Sequence, residues 1–330
     1  MNEKDWRMQD TRTTVAPTAV HLAVAWDWEY DYDFIRILEQ AAQRHQARLL
    51  TICAYNLDEV LAALRASRLQ IGVLLDRASD TNELFMPLQP LAQRHGTRII
   101  NPFEISQRTM DKATMHYLLI QAGVNVPHTV ILPPFEVERK LNTALIEAIA
   151  QLKMPFVLKP ANGGGGEGVA KSVYSPFDAS AWRQIIPWDK YLAQEKIYPK
   201  YLYGWRCWFR AYYLFGEVEI AWWDDERHLY RSLSDSDKLR IPFEAMCDAM
   251  QRIARVSQMD FFSSELALSV DDRLVAVDYV NDPIDLRPKS RHFDGLPNTL
   301  VERIADSLIQ FAQRHCVHAF ASTPVSLSLP

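Results

Sequence analysis

Glycine is scarce in this chain, eleven in 330 residues, yet five of the eleven fall between Gly163 and Gly168. That is an overall frequency of about 3%, where ~7% is usual, so the cluster is not a chance one. Consecutive glycines let backbone N–H groups converge on an anion with no Cβ in the way. The segment before the loop, MPFVLKP (Met154–Pro160), reads as a buried strand, and another strand-like segment follows it. Lys159 thus stands at the entrance of the loop, where an ammonium is a natural phosphate partner. The motif is not a Walker loop, which needs GxxxxGK[ST]. Nor is it a dinucleotide fingerprint, because a strand rather than a helix follows.

Upstream, apolar runs alternate with helical patterns. Strands are expected at His21–Trp26, Ala47–Tyr55, Ile71–Arg77 and Thr97–Pro102, with helices at Phe34–His45, Leu57–Ser67 and Leu84–His95 between them. Such alternation predicts a parallel sheet with helices on both faces. Ser106–Gly123 predicts one long helix closed by Gly123. A strand at Val126–Pro133 and a helix over Glu136–Leu152 then lead to the glycine loop. Beyond it, strands are expected at Tyr191–Ile197, Trp205–Trp223, Ser263–Val270 and Leu274–Asn281, with helices at Pro242–Gln258 and Leu300–Gln313. The pattern divides the chain into a tail (1–19), an α/β domain (20–105), a lobe with the glycine loop (106–190), a second lobe (191–318) and a tail (319–330).

Composition narrows the partners. The net charge is -5 with no Lys/Arg block, which argues against a nucleic-acid partner. No apolar run approaches the ~20 residues of a membrane span, and the polar N-terminus lacks a signal peptide's apolar stretch. Cys53, Cys207, Cys247 and Cys316 lie far apart, without a CxxC. They read as reduced thiols of a cytoplasmic protein.

Several charged residues sit where charge is costly. Glu265, Asp278 and Asn281 lie in the apolar segments SSELALSV and LVAVDYVN. Carboxylates there need a cation or another partner, and Mg²⁺ takes oxygen ligands. The aromatic run Trp205–Trp223 fits a half-buried strand hairpin turning at Phe215–Gly216, with Arg206 and Arg210 on one face of its first strand. Arg287, Lys289 and Arg291 form a basic loop suited to a substrate carboxylate or phosphate, or simply a solvated one. The stretch WDWEYDYD (Trp26–Asp33) follows the first strand, on the side where open α/β sheets bind ligands. Its acids and aromatics suit a cationic amine, or are acids placed near a helix N-terminus.

The segment FVLKPANGGGGEGV resembles the phosphate-covering loop of the ATP-grasp superfamily, and DKATMHYLLIQAGVNVPHTVIL resembles the segment leading into that domain. The likeness runs over roughly 20–313. It implies an α/β and α+β fold, in which an N-terminal parallel-sheet domain precedes a two-lobed ATP-grasp domain. It also implies that Lys112 and Lys159 reach the ATP phosphates under a lid of Gly163, Gly164, Gly165, Gly166 and Gly168. The backbone at Glu195, Lys196 and Ile197 would meet adenine. Arg210 and Arg287 would serve the reacting groups, and Glu265, Asp278 and Asn281 would hold Mg²⁺, or Mn²⁺ in its place. The superfamily usually spaces its last acid and asparagine two apart. Here Asp278 and Asn281 are three apart, which calls for a bulge or strand end and makes Asp282 a substitute ligand. The implied activity is ATP-dependent, ADP-forming ligation of a carboxylate to an amine through an acyl phosphate. Alternatives are a small-molecule kinase on the same fold or a non-catalytic ATP-binding protein. Related proteins are commonly homodimers. No grouping of residues calls for a covalent side-chain nucleophile.

Overall fold

The computed structural model describes residues 18–316. Of the two expected tails, 319–330 and all of the first but Thr18 and Ala19 lie outside the described residues. Thr18 and Ala19 are not tail: they open the first strand.

That strand, β1 (Thr18–Trp26), is followed by α1 (Tyr32–Arg44), β2 (Leu49–Ile52), α2 (Leu57–Arg65), β3 (Leu69–Arg77), α3 (Leu88–Arg94) and β4 (Arg98–Ile100). The four strands form a parallel sheet in the order β2-β1-β3-β4. Alternation along β1 shows why its sequence is apolar on both faces. Leu22 and Val24 pack with Phe34, Ile35 and Leu38 of α1. Ala23 and Ala25 pack on the opposite side with Val60, Leu61 and Leu64 of α2 and Leu88 of α3.

A short stretch then crosses to the remainder of the chain. α4 (Phe103–Met110) and α5 (Lys112–Gln121) replace the single helix expected over Ser106–Gly123. The break is chemical: the Asp111 side chain accepts hydrogen bonds from the Ala113 and Thr114 N–H groups, so it caps a new helix. Next come β5 (Thr129–Leu132), α6 (Thr143–Ala150), β6 (Phe156–Pro160), β7 (Ala170–Val173), α7 (Pro176–Trp182) and β8 (Tyr191–Glu195). Their strands form a sheet in the order β5-β8-β6-β7. The helix expected over Glu136–Leu152 starts only at Thr143, where Asn142 caps it.

The remaining elements are β9 (Tyr201–Leu202), β10 (Trp205–Arg206), β11 (Trp208–Leu214), β12 (Glu217–Asp224), β13 (Leu229–Ser232), α8 (Asp235–Lys238), α9 (Phe243–Ser257), β14 (Phe261–Leu268), β15 (Leu274–Asn281) and α10 (Asn298–Cys316). Five of the strands form an antiparallel sheet, β13-β12-β11-β14-β15. The strand hairpin expected over Trp205–Trp223 is present as β11 and β12, turning at Phe215–Gly216, but its first two residues belong to β10. β9 and β10 make a separate hairpin, and the chain turns into the main sheet at Cys207, whose N–H bonds Lys200 and whose carbonyl accepts from Leu268. Arg206 and Arg210 consequently sit on different strands, not on one strand face.

The five-stranded sheet has two unlike faces. Phe209 and Ala211 of β11 pack with Met246, Met250 and Ile253 of α9. Trp208 and Tyr212 point the other way, and join a core that includes α1 and α10. The C-terminal helix thus returns to the N-terminal sheet, packing against α1, β1 and β3. Arg210 shares the parity of Trp208 and Tyr212, so the fold turns it toward the same side.

Candidate functional site

The glycine loop between β6 and β7 overhangs a cleft of about 750 Å³. Its lining draws on the four-stranded and the five-stranded antiparallel sheets: Lys159 and the glycines from the first, Arg210, Glu265, Asp278 and Asn281 from the second. Gly163, Gly165, Gly166 and Gly168 all take positive φ, from +64° to +95°. An L side chain seldom adopts this conformation, which is the reason the sequence clusters glycine here.

Two lysines flank the loop. Lys112, the first residue of α5, donates from Nζ to the Gly163 carbonyl at 2.5 Å, and from its backbone N–H to Ala161 at 2.8 Å. Lys159 is buried, 8% exposed, and crosses to the other sheet: its Nζ donates to the Val277 carbonyl at 3.0 Å. The Asp278 Oδ1 is 4.0 Å away, too long for a hydrogen bond. Burial lowers the Lys159 pKa from its ordinary value, as does Lys112, while Asp278 and Glu265 oppose the fall.

The metal-strand spacing is resolved by bulges. Glu265 is the cross-strand partner of Asp278, Ser263 that of Asn281 and Leu266 that of Ala276, so β15 carries an extra residue on either side of Asp278. Val277, Asp278, Val280 and Asn281 all line the cleft as a result, while Tyr279 turns into the core beneath. Burial opposes ionisation of Asp278, yet Lys159, Lys112 and Arg210 hold its carboxyl below the usual range. Its Oδ1 is buried without a hydrogen-bond partner. Glu265 accepts from Trp208 Nε1 at 2.9 Å and pairs with Arg210 at 2.7 Å. Asp282 also reaches the cleft lining, but it accepts from the Ser106 hydroxyl at 2.6 Å; burial pushes its carboxyl up to about 6. Among the described residues no three His, Cys, Asp or Glu side chains group tightly enough for an all-protein metal cage. Mg²⁺ needs none, since one or two carboxylates with substrate phosphates and water suffice.

No family model matches the chain, and no curated protein matches it in sequence. Solved structures do match. A RimK-domain ATP-grasp protein of Sphaerobacter thermophilus is 19% identical, covering 88% of this chain and 98% of its own, with a TM-score of 0.56. D-Alanine–D-alanine ligase of Bacillus anthracis, complexed with ATP, is 14% identical over 90% of this chain and 97% of its own, TM-score 0.59. The ATP-grasp ligase PsnB, complexed with minimal precursor, Mg and ADP, is 15% identical over 89% and 99%, TM-score 0.60. The chain has the ATP-grasp fold.

This ATP-grasp cleft gathers every residue singled out from the sequence for nucleotide or metal except Gly168, which lies at the loop's far end against Ile186 and Pro160. Glu195, Lys196 and Ile197 line it just after β8. The Glu195 carboxylate is tied to Arg273 at 2.9 Å, and its N–H bonds the His128 carbonyl, so its side chain is already partnered.

The basic loop behaves differently from expectation. Arg287 lines the cleft, but Lys289 donates to the Tyr230 carbonyl, and the Arg291 side chain is 71% exposed beside Asp33. The acids of Trp26–Asp33 do not form an amine cradle. Asp31 is buried against Arg77 at 2.6 Å, Asp27 accepts from Asn82, and Asp33 faces His292. The cation their aromatics receive is Arg287 itself, over Trp28 at 5.8 Å and Tyr30 at 5.9 Å. Sequence reasoning missed Gln194, Trp223, Asp225, Tyr230, Asp285 and Asp294, all in the lining. The clue available for Asp285 was its two-residue spacing from Arg287.

Proposed function

We propose that this chain is an ATP- and Mg²⁺-dependent ligase that joins a carboxylate to an amine through an acyl phosphate. The observation that carries the reading is one cleft holding the glycine loop, Lys112, Lys159, Arg210 and the carboxylates Glu265 and Asp278. In this reading Lys112 and Lys159 hold the phosphates under the loop. Backbone at Glu195–Ile197 meets adenine, as the resemblance implies. Arg210, fixed by Glu265, faces the transferred phosphoryl group. Positive groups preorganised at developing charge are the main resource for phosphoryl transfer.

The residues suit a metal as well. The Asp278 Oδ1 is buried with no hydrogen-bond partner and only the Lys159 ammonium at 4.0 Å, which leaves it open to a metal ion. Glu265, Asp278 and Asn281 would hold Mg²⁺, which supplies neutralisation of phosphate charge; PsnB is seen with Mg and ADP, and nothing favours Mn²⁺. The γ-phosphorus–oxygen bond to ADP breaks as a bond to the carboxylate oxygen forms. The amine nitrogen then attacks the acyl carbon, phosphate leaves and the amine gives up a proton.

The test begins with thermal unfolding of wild type and Lys159→Met, each with ATP and Mg²⁺. Ligand at 100 times its Kd stabilises by about 2.7 kcal/mol. Wild type should gain a Mg²⁺-dependent shift that Lys159→Met lacks. Paired acids and amines are then screened for release of inorganic phosphate. ADP without phosphate, formed with a single hydroxyl cosubstrate, would replace the ligase by a kinase. No shift in wild type would remove the reading altogether.

A further inference from the structure

The end of the cleft away from the glycine loop has a sign of charge. Arg287 lines it, yet every guanidinium nitrogen is engaged: Nε and NH2 donate to Asp285, and NH1 and NH2 to Asp294, at 2.8 to 3.3 Å. Trp28 and Tyr30 cover the guanidinium as well. Arg206 is paired in part likewise, with Asp225 at 2.8 Å and the largely exposed Glu226 at 3.0 Å. In each group one arginine faces two carboxylates, which leaves one negative charge in surplus. Arg210 also reaches this wall, its guanidinium 5.4 Å from the Trp223 ring, but Glu265 pairs it at 2.7 Å.

The walls complete the description. Trp223 lies 4.2 Å from Tyr230 and 5.4 Å from His228, ring to ring, and all three line the cleft. Tyr212, 1% exposed, lines it too, next to Tyr230. Asp285 and Asp294 share the cleft lining with Tyr212 and Tyr230. Aromatic faces beside surplus carboxylates attract cations.

We infer that this end of the cleft binds an ammonium group carried on an apolar body, held by Asp285 and Asp294 against the Trp223–Tyr230 wall. On the ligase reading, which supplies only its role, that molecule is the amine substrate.

The test uses two matched probes on the full chain, 2-phenylethylamine and 3-phenylpropionate, in ligand-observed saturation-transfer NMR. The amine should receive saturation several-fold more strongly than the acid. Asp285→Asn with Asp294→Asn frees Arg287 and should reverse the preference. Should that double variant not fold, Arg287→Gln bares both carboxylates and should strengthen amine binding several-fold. Equal response to both probes, no response to either, or an amine preference unmoved by these variants overturns the inference. The MgATP thermal shift is measured alongside. Its absence with the amine preference intact sinks the ligase reading and leaves this one; the converse sinks this one alone.

Discussion

His116 should make stability fall with acid by a predictable amount. It is 5% exposed on α5, and its Nδ1 meets the Tyr279 hydroxyl at 2.7 Å; Gln194 Nε2 donates to the same hydroxyl at 3.0 Å. Burial, and then the neighbouring charge of Lys159, lower its pKa from 6.5 to about 4. The unfolded chain therefore takes up this proton below pH 6.5, whereas the folded chain resists until about 4. The stabilisation is fully present above 6.5 and is lost as pH falls through that window. Linkage puts the loss near 1.4 kcal/mol at pH 5.5 and about 3 kcal/mol at pH 4. The perturbation is His116→Gln, which keeps a polar partner for Tyr279 but does not titrate. Urea unfolding of both proteins at pH 7, 5.5 and 4 gives the comparison. Asp282, with its carboxyl raised to about 6, works in the opposite sense: the folded state takes its proton first, so stability rises as pH falls from about 6 to 4. That contribution is common to both proteins and cancels in the difference. Parallel pH curves for wild type and His116→Gln would refute the argument.

Asp31→Ala should cost about 3–5 kcal/mol in urea unfolding, because it strands the buried Arg77 guanidinium; a loss under 1 kcal/mol would mean water reaches Arg77. Gly168→Ala should destabilise by about 1–3 kcal/mol, since its φ is +68° and a Cβ would meet Ile186 Cδ1 at 3.0 Å. Gly164→Ala, with nothing within 4 Å, should leave the melting temperature within a degree or two, so that any loss of nucleotide binding reports on the loop itself. Gly72→Ala should be poorly tolerated: its Cβ would lie 1.9 Å from Cys316 Sγ and 3.0 Å from the His21 carbonyl oxygen. The β3–α10 contact would have to open, at roughly 1–3 kcal/mol by chemical denaturation.

What the sequence disclosed follows from which interactions are local. β1 was legible because a central parallel strand must be apolar on both faces, and its residues are. The bulge in β15 was legible from a spacing, Asp278 to Asn281, that a regular strand could not bring to one face. The break at Asp111 was hidden because helical periodicity continues across it, although an Asp able to cap is a signal in its own right. Strand β13 escaped because four residues between a polar turn and a serine-rich helix start offer too short a pattern. Arg287 was read as a free cation because its second carboxylate and its two aromatic covers are brought by distant turns of chain. Asp294 is seven residues away, and Tyr30 lies in another sheet's connection. Charge at a site is a sum over neighbours in space, and composition along the chain does not report it.

That sum also bears on how the cleft would tell its ligands apart. Lys112 and Lys159 lie at the glycine loop and the metal strand, Arg210 is neutralised by Glu265, and the Arg206 and Arg287 groups each carry a negative surplus. A unit charge about 5 Å from one surplus charge, at an effective dielectric near 20, gains or loses about 3 kcal/mol. The difference between an ammonium and a carboxylate at the same place is twice that before desolvation is subtracted. Even half of it amounts to more than a hundred-fold in occupancy. On the proposed reading, charge alone would favour phosphate beside the lysines and an amine beside Asp285 and Asp294, without any contact specific to the rest of either molecule. Salt should weaken the selectivity only in part, because Asp294 is three-quarters covered while Asp285 is 39% and Glu226 64% exposed. An amine-over-acid preference that vanished in 0.5 M NaCl would place the discriminating charges on the open surface and not in the cleft.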